Sequence, residues 1–308
     1  MPTALTLFVL ASAAAAQPAQ PICAIDMGSN SFRRIVGSFE NGRYDQRRMD
    51  VVTMGVGDDL ARHQRISDAK LKEIEQQLTA FKRACEKEGA TPVKAVGTAA
   101  FRDAPNGKRV VDLARTLGIP MEIATERRES ELAYLVGALG RDGYAVVDNG
   151  SRSIELVTRE RGATRYVVFN LGYRVAYDTF FARASNVAQA TLEFRARLMK
   201  EAARAPFMKG KRGLVAVEFG EMAEVFFPSS ERGSRMFTLG QLQQKLREVT
   251  GQSAERFKAM KATKDIDRAL PRLVVAVFLM EQFGYSQLDL TDRELGAGLI
   301  IEAGTKRE

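Results

Sequence analysis

One six-residue pattern, Asp-x-Gly-Ser-x-Ser, is written twice in this chain: "DMGSNS" from Asp26 to Ser31 and "DNGSRS" from Asp148 to Ser153. The surroundings repeat as well. An apolar run precedes each copy, "PICAI" in one and "YAVV" in the other. A second strand-like run follows, "FRRIVGSFE" or "IELVTRE", then a turn at "NGR" or "RGA", then a third run, "YDQRRMDVVTMG" or "TRYVVFNLG". A repeated strand, tight turn, strand, turn, strand unit is the mark of an internal duplication. The spacing is far too long for a solenoid, so the expectation is two similar lobes facing each other.

The rest of the chain supports that reading. At 308 residues it is long enough for two lobes, each with a core. Strand-like and helix-like segments alternate after each meander, which predicts an α/β fold with mixed sheets and a cleft between the lobes. The lobes are placed at 22–141 and 142–308. An amphipathic helix is expected from Asp68 to Lys87, with Leu71, Ile74, Leu78, Phe81 and Cys85 on one face. Further helices are expected over "GKRVVDLARTLG", closed by Gly118, and over "TERRESELAYLVGALG", capped by Thr125. "DRALPRLVVAVFLMEQFG" is apolar nearly all round and predicts a buried helix ending at Gly284. "MGVGDD" reads as a Gly-rich loop, "TPVKAVGTAAF" as a strand, and "TDRE" from Thr291 to Glu294 as a capping box opening the last helix.

Residue inventory narrows the chemistry. His63 is the one histidine and sits in a polar segment, which excludes a His metal cluster and leaves no obvious Ser-His-Asp triad. There is no CxxC and no Walker-type loop. Catalysis must come from carboxylates, hydroxyls, backbone N–H groups and arginines. The net charge of +8 suits a polyanionic partner. Cys23 opens the first strand and Cys85 lies on a core face; both are expected to be buried, and a disulfide between them is left open.

The first residues form a separate unit. "MPTALTLFVLASAAAAQPAQP" has an apolar run from Leu5 to Ala16 and an Ala14-x-Ala16 site. That predicts a signal peptide over residues 1–16, cleaved after Ala16. The run is too short for a stable membrane anchor. The protein is therefore expected to be periplasmic or secreted, or cytoplasmic if the leader is a start-site artefact.

The repeated turns carry the functional signal. Gly permits a sharp bend after a buried strand, so several backbone N–H groups point the same way, and the Ser hydroxyls add donors. Such a nest binds phosphate oxygens without a positive side chain. The Asp at each strand end offers a carboxylate to a metal ion or a water.

Four segments in order, "AIDMGSNSFRRIV", "AVGTAAFRDAPN", "ERRESELAYLVGAL" and "AVVDNGSRSIEL", resemble the motifs of the exopolyphosphatase/guanosine pentaphosphate phosphohydrolase family. The resemblance runs from about Ile22 through "LTDRELGAGLI" and implies a two-lobed actin-like (ribonuclease-H-like) fold. It implies a first phosphate loop at Asp26, Gly28, Ser29, Asn30 and Ser31, an arginine at Arg102 with Asn106 following, and a water-activating glutamate at Glu129. The family's second loop reads Asp-x-Gly-Gly-Gly-Ser-Thr-Glu, and here it reads Asp148-Asn149-Gly150-Ser151-Arg152-Ser153-Ile154-Glu155. Both carboxylates and the first glycine match. Ser151 and Arg152 replace two glycines, and Ile154 a threonine. "VEFGEMAEVF" has one Gly where relatives have a Gly-Gly turn.

The resemblance implies a Mg²⁺-dependent hydrolase that releases terminal phosphate from inorganic polyphosphate. Glu129 and Arg102 are the expected catalytic residues. Gly28, Ser29, Asn30, Ser31, Gly150, Ser151, Arg152 and Ser153 are expected to bind phosphate, and Asp148, Glu155 and Asp26 to hold the metal. Arg152 has two opposite readings, a charged phosphate ligand or a plug in the pocket. Two alternatives stand beside hydrolysis of polyphosphate: a non-catalytic polyphosphate- or nucleotide-binding protein, and a guanosine pentaphosphate phosphohydrolase if the chain is cytosolic. No nucleic acid partner is expected, and homodimerisation is left open.

Overall fold

In the computed structural model, which describes residues 20–228, 235–263 and 265–306, each copy of the repeated pattern opens a mixed sheet. The expected leader and its cleavage site lie outside the described residues. The first sheet comprises β1 (Ile22–Met27), β2 (Ser31–Glu40), β3 (Arg43–Thr53), β4 (Val93–Gly97) and β5 (Met121–Ile123), in the order β3-β2-β1-β4-β5. The second comprises β6 (Ala145–Asn149), β7 (Ile154–Glu160), β8 (Ala163–Phe169), β9 (Leu214–Val217), β10 (Arg235–Thr238) and β11 (Gln287–Leu290), in the order β10-β11-β9-β6-β7-β8.

The duplication is complete at the level of strand pairing. β1-β2-β3 and β6-β7-β8 are antiparallel meanders, and β4 and β9 run parallel to β1 and β6 respectively. β5 and β11 extend each sheet in parallel, and β10 adds an antiparallel edge with no counterpart among the described residues of the first sheet. Central β1 and β6 are buried along their whole length, as strands covered on both faces must be. Edge strand β3 instead sets Arg47, Arg48 and Met49 outward, and charge on an edge discourages pairing with another chain.

Two helices knit the lobes together reciprocally. Helix Glu126–Ala138 presents Leu132 and Ala133 to the first sheet's cluster, and Tyr134, Val136 and Ala138 to a cluster with Val146, Val157 and Val215 of the second. The final helix, Ala297–Thr305, returns to pack Leu299, Ile300 and Ala303 beside Ala24 and Ile35. A Cβ on Gly298 would stand 2.9 Å from the Leu132 carbonyl, so a glycine is what lets these two helices touch. The largest core surrounds helix Ile266–Phe283, whose residues are buried on nearly every side, as its composition predicts. Gly284, at φ 79, ends it.

Several local expectations are revised. "VGDDLARH" is a helix, Val56–His63, because Gly55 at φ 58 turns the chain directly out of β3 and Asp58 and Asp59 favour the helix start. Strand β4 stops at Gly97, and "AAFRD" is helical. "TDRE" does not cap the last helix, which begins at Ala297. The Thr291 hydroxyl accepts from the Arg293 N–H, and the Glu294 carboxylate turns away toward Arg33. Cys23 and Cys85, both fully buried, form a disulfide that ties β1 to helix Asp68–Lys87. Among the described residues no helix is long and apolar enough to cross a membrane.

Candidate active site

The two turns face each other across one cavity, lined from the first lobe by Gly28, Ser29, Asn30 and Ser31 and from the second by Gly150, Ser151, Arg152 and Ser153. Each turn is held from behind in the same way. The carbonyls of Ser29 and Asn30 accept from the N–H groups of Gly57, Met54 and Gly55, where the chain leaves β3. The carbonyls of Gly150, Ser151 and Arg152 accept from Tyr173, Arg174 and Gly172, where the chain leaves β8. Carbonyls anchored in this way fix each loop's backbone beside the cavity, as an anion nest of backbone N–H groups requires. Contact behind the second turn is so close that a Cβ on Gly172 would lie 2.4 Å from Ser153 N and 2.5 Å from Gly150 O.

The strand register then separates the lobes chemically. Asp26 pairs across the sheet with Arg33, whereas its counterpart Asp148 pairs with Glu155. Two carboxylates directly opposite on neighbouring strands repel. Burial pushes both Asp148 and Glu155 well above the usual carboxylate range. Glu218 and Glu155 add to the effect on Asp148; Glu129 adds to it on Glu155, where a Ser153 hydrogen bond works the other way. The buried Oδ1 of Asp148 has no hydrogen-bond partner among the described residues. Asp26 is pushed up to about 7 by burial although Arg33 opposes this.

Glu129 comes from the first turn of the helix capped by Thr125, whose hydroxyl accepts from Arg128 N–H. Its Oε2 accepts a 3.0 Å hydrogen bond from Arg102, which also donates to the Ala124 carbonyl. Burial raises Glu129 and Arg102 draws it back down. Glu129 and Asp148 therefore share the cavity in different surroundings, one held by an arginine and one facing another carboxylate.

Most of the sequence-derived candidates meet here: Asp26, both turns, Glu129, Asp148 and Glu155 line the cavity, and Arg102 reaches it through Glu129. Asn106 does not take part; its side-chain amide is spent on the backbone of Ile66. Arg152 sits at the rim with its guanidinium 3.1 Å from Asp103 of the first lobe.

Sequence reasoning missed a second set. Glu218 follows β9 at φ 61, a conformation unusual outside glycine, and points into the cavity near Arg33. Glu294 lies 3.2 Å from Arg33 and is pushed up to about 8 by burial, with Arg33 opposing. Arg272, buried in the long helix, donates to the Asn149 carbonyl beside the second turn and to Glu221, and stacks over Tyr173. Arg33 was within reach of the sequence, since it holds in copy one the place that Glu155 holds in copy two. Arg272 gave no local signal in an otherwise apolar helix.

A divalent cation fits this site on its own chemistry: a buried like-charged pair, an unpartnered Asp148 oxygen and further carboxylates at Asp26 and Glu218. Among the described residues no three His, Cys, Asp or Glu groups are arranged to hold a metal ion between them. A Mg²⁺ ion needs only one or two protein carboxylates and completes its shell with water and substrate phosphate.

Comparison with known proteins agrees with this geometry. No curated protein sequence matches the chain. A crystal structure of the Aquifex aeolicus member of the Ppx/GppA protein family superposes with a TM-score of 0.80 at 22% identity, covering 94% of this chain and 99% of that one. An exopolyphosphatase structure from Cytophaga hutchinsonii gives 0.73 at 17% identity, covering 93% and 98%. These show the two-lobed actin-like α/β fold. The model of the Ppx/GppA phosphatase family matches residues 47–303, most of the chain including the second turn, so the protein belongs to the Ppx/GppA phosphatase family.

Proposed function

We propose that the protein is an exported, Mg²⁺-dependent phosphoanhydride hydrolase that releases terminal phosphate from inorganic polyphosphate. The observation that carries this reading is the pair of opposed turns over a buried Asp148–Glu155 pair, with Glu129 across the same cavity. Asp148 and Glu155, with Asp26 nearby, would hold Mg²⁺, which when bound supplies positive charge to the phosphoryl oxygens. The N–H groups and serine hydroxyls of the two turns hold those oxygens from both lobes. Glu129 accepts a proton from a water as the water oxygen attacks the terminal phosphorus. The bridging P–O bond breaks, and its electron pair leaves with the shortened chain. Arg102 keeps the Glu129 carboxylate oriented and favours its ionised, proton-accepting form.

Export is supported by the leader sequence and by the Cys23–Cys85 disulfide, since such bonds persist in oxidising compartments. An exported enzyme does not meet cytosolic guanosine nucleotides, which favours polyphosphate over guanosine pentaphosphate. The test is phosphate release from tripolyphosphate and longer chains by the purified protein, with Mg²⁺ and with EDTA. Release that requires Mg²⁺ is expected. Binding of polyphosphate without release would leave the non-catalytic reading in its place.

A further inference from the structure

The ion pair between Arg152 and Asp103 has no part in the chemistry proposed above, yet it spans the cleft. Arg152 occupies on the second turn the position that Asn30 holds on the first. Asp103 ends the short helix Ala99–Asp103 of the opposite lobe, next in the chain to Arg102, which turns inward to Glu129. The two side chains are 48% and 43% exposed. Arg152 also stands where two spaces join: it lines the inner cavity with Asp148 and an outer groove with Arg174 and Arg268. The groove's other arginines are engaged on their own lobe, Arg174 with Asp178 at 2.8 Å and Arg268 with Glu221 at 3.3 Å. The contact of Arg152 is different in kind, because its partner belongs to the facing lobe.

We propose that Arg152 is a specificity-determining phosphate ligand whose resting partner is Asp103, and that a phosphoryl group of a linear phosphoanhydride chain displaces the Asp103 carboxylate. The proposal rests on the phosphohydrolase reading of the same cavity. A half-exposed ion pair is screened by water and contributes little, so it is cheap to break. A phosphate offers the guanidinium a stronger, bidentate partner. Orthophosphate seated deep between the turns does not extend to the rim and leaves the pair intact. A chain leaving the inner cavity toward the groove passes Arg152. Asp103 therefore acts as a competitor that a chain overcomes and a single phosphate does not, which separates substrate from product.

The experiment is calorimetric titration of the Mg²⁺-supplemented protein with a methylene-bridged triphosphate, which cannot be hydrolysed, and with orthophosphate. Asp103→Asn should bind the triphosphate about two- to five-fold more tightly, the worth of an exposed pair, and orthophosphate unchanged. Arg152→Ala should weaken the triphosphate about tenfold or more, the value of a charge-assisted hydrogen bond. In the double variant the gain from Asp103→Asn should vanish. Both positions are exposed enough that the variants should fold, and equal melting temperatures would confirm it. A gain that persists without Arg152, or weaker binding by Asp103→Asn, would overturn the exchange. If the wild type binds and hydrolyses chains but Asp103→Asn is indistinguishable from it, the exchange alone fails. If the wild type binds neither phosphate, the exchange and the phosphohydrolase reading fall together.

Discussion

The buried carboxylates of the cavity predict that the metal-free protein loses stability as pH rises toward neutrality. Burial lifts Asp26 from an ordinary 3.8 to about 7, and Glu294 from 4.5 to about 8. Asp148 and Glu155 are raised in the same direction. Each group keeps its proton in the folded chain over a range where the unfolded chain has lost it. The unfolded state then binds fewer protons, so the unfolding free energy falls with increasing pH. The window opens near the unfolded values, at about pH 4, and closes near pH 8 as Glu294 ionises in the fold. One such proton is worth about 1.4 kcal/mol per pH unit, so a single group gives a loss of about 2–3 kcal/mol between pH 5 and pH 7. Groups held low, such as Asp50 beside Arg34 and Asp142 beside Arg159, titrate below this window and do not oppose it. Urea denaturation of EDTA-treated protein across this range measures the slope. Mg²⁺ should restore stability most at the alkaline end, where its carboxylate ligands are ionised. Glu155→Gln should lose activity yet exceed the wild type in metal-free stability at pH 8, and much less so at pH 5. Metal-free stability that is flat or rising from pH 5 to pH 8 would refute the reasoning.

Three other outcomes are expected. Glu129→Gln should lower phosphate release about 100-fold or more while sparing substrate affinity, and rates equal to wild type would mean another group accepts the proton. Gly172→Ala drives a methyl group against the backbone of Ser153 and Gly150, so about 1–3 kcal/mol of stability and most phosphate affinity should be lost, as thermal melts and titration would show. Mass spectrometry of protein from native cells should find a mature amino terminus near Gln17 and oxidised Cys23 and Cys85; an intact Met1 form with both thiols reduced would remove the case for export.

The sequence disclosed the architecture because its strongest signal was a repetition, and repetition survives the weakness of each local cue. The turns and Asp148 were found through their repetition along the chain, and Glu129 through the family resemblance. What stayed hidden depends on where distant strands end. Glu218 enters the cavity from the end of β9, and Glu294, after β11, meets it through Arg33; nothing nearby in sequence says so. The capping-box motif at Thr291 pointed the wrong way, since the Glu294 carboxylate is turned to Arg33 and not back to the Thr291 backbone. The Gly-rich segment after β3 read as a loop because Gly55 is needed for one residue's left-handed turn, and the helix begins immediately behind it. Cys23 and Cys85 were legible as core residues, but their pairing requires knowing that helix Asp68–Lys87 lies over β1.

The duplication is most informative where its copies differ. A doubled phosphate nest with two identical faces would hold an anion without directing a reaction on it. Here the seventh residue after each Asp sets the charge of its lobe: Arg33 in the first, Glu155 in the second. The first lobe thereby carries its own cation beside Asp26, shared with Glu218 and Glu294. The second lobe concentrates negative charge at Asp148 and Glu155, both raised by burial and by neighbouring carboxylates, and a bound cation would offset it. In the proposed reaction a divalent ion therefore serves mainly the second lobe. Glu129, from the helix that packs between the two sheets, lines the same cavity as that pair. In the proposed reaction two copies of one turn supply the grip, and a single arginine-to-glutamate difference between them supplies the polarity.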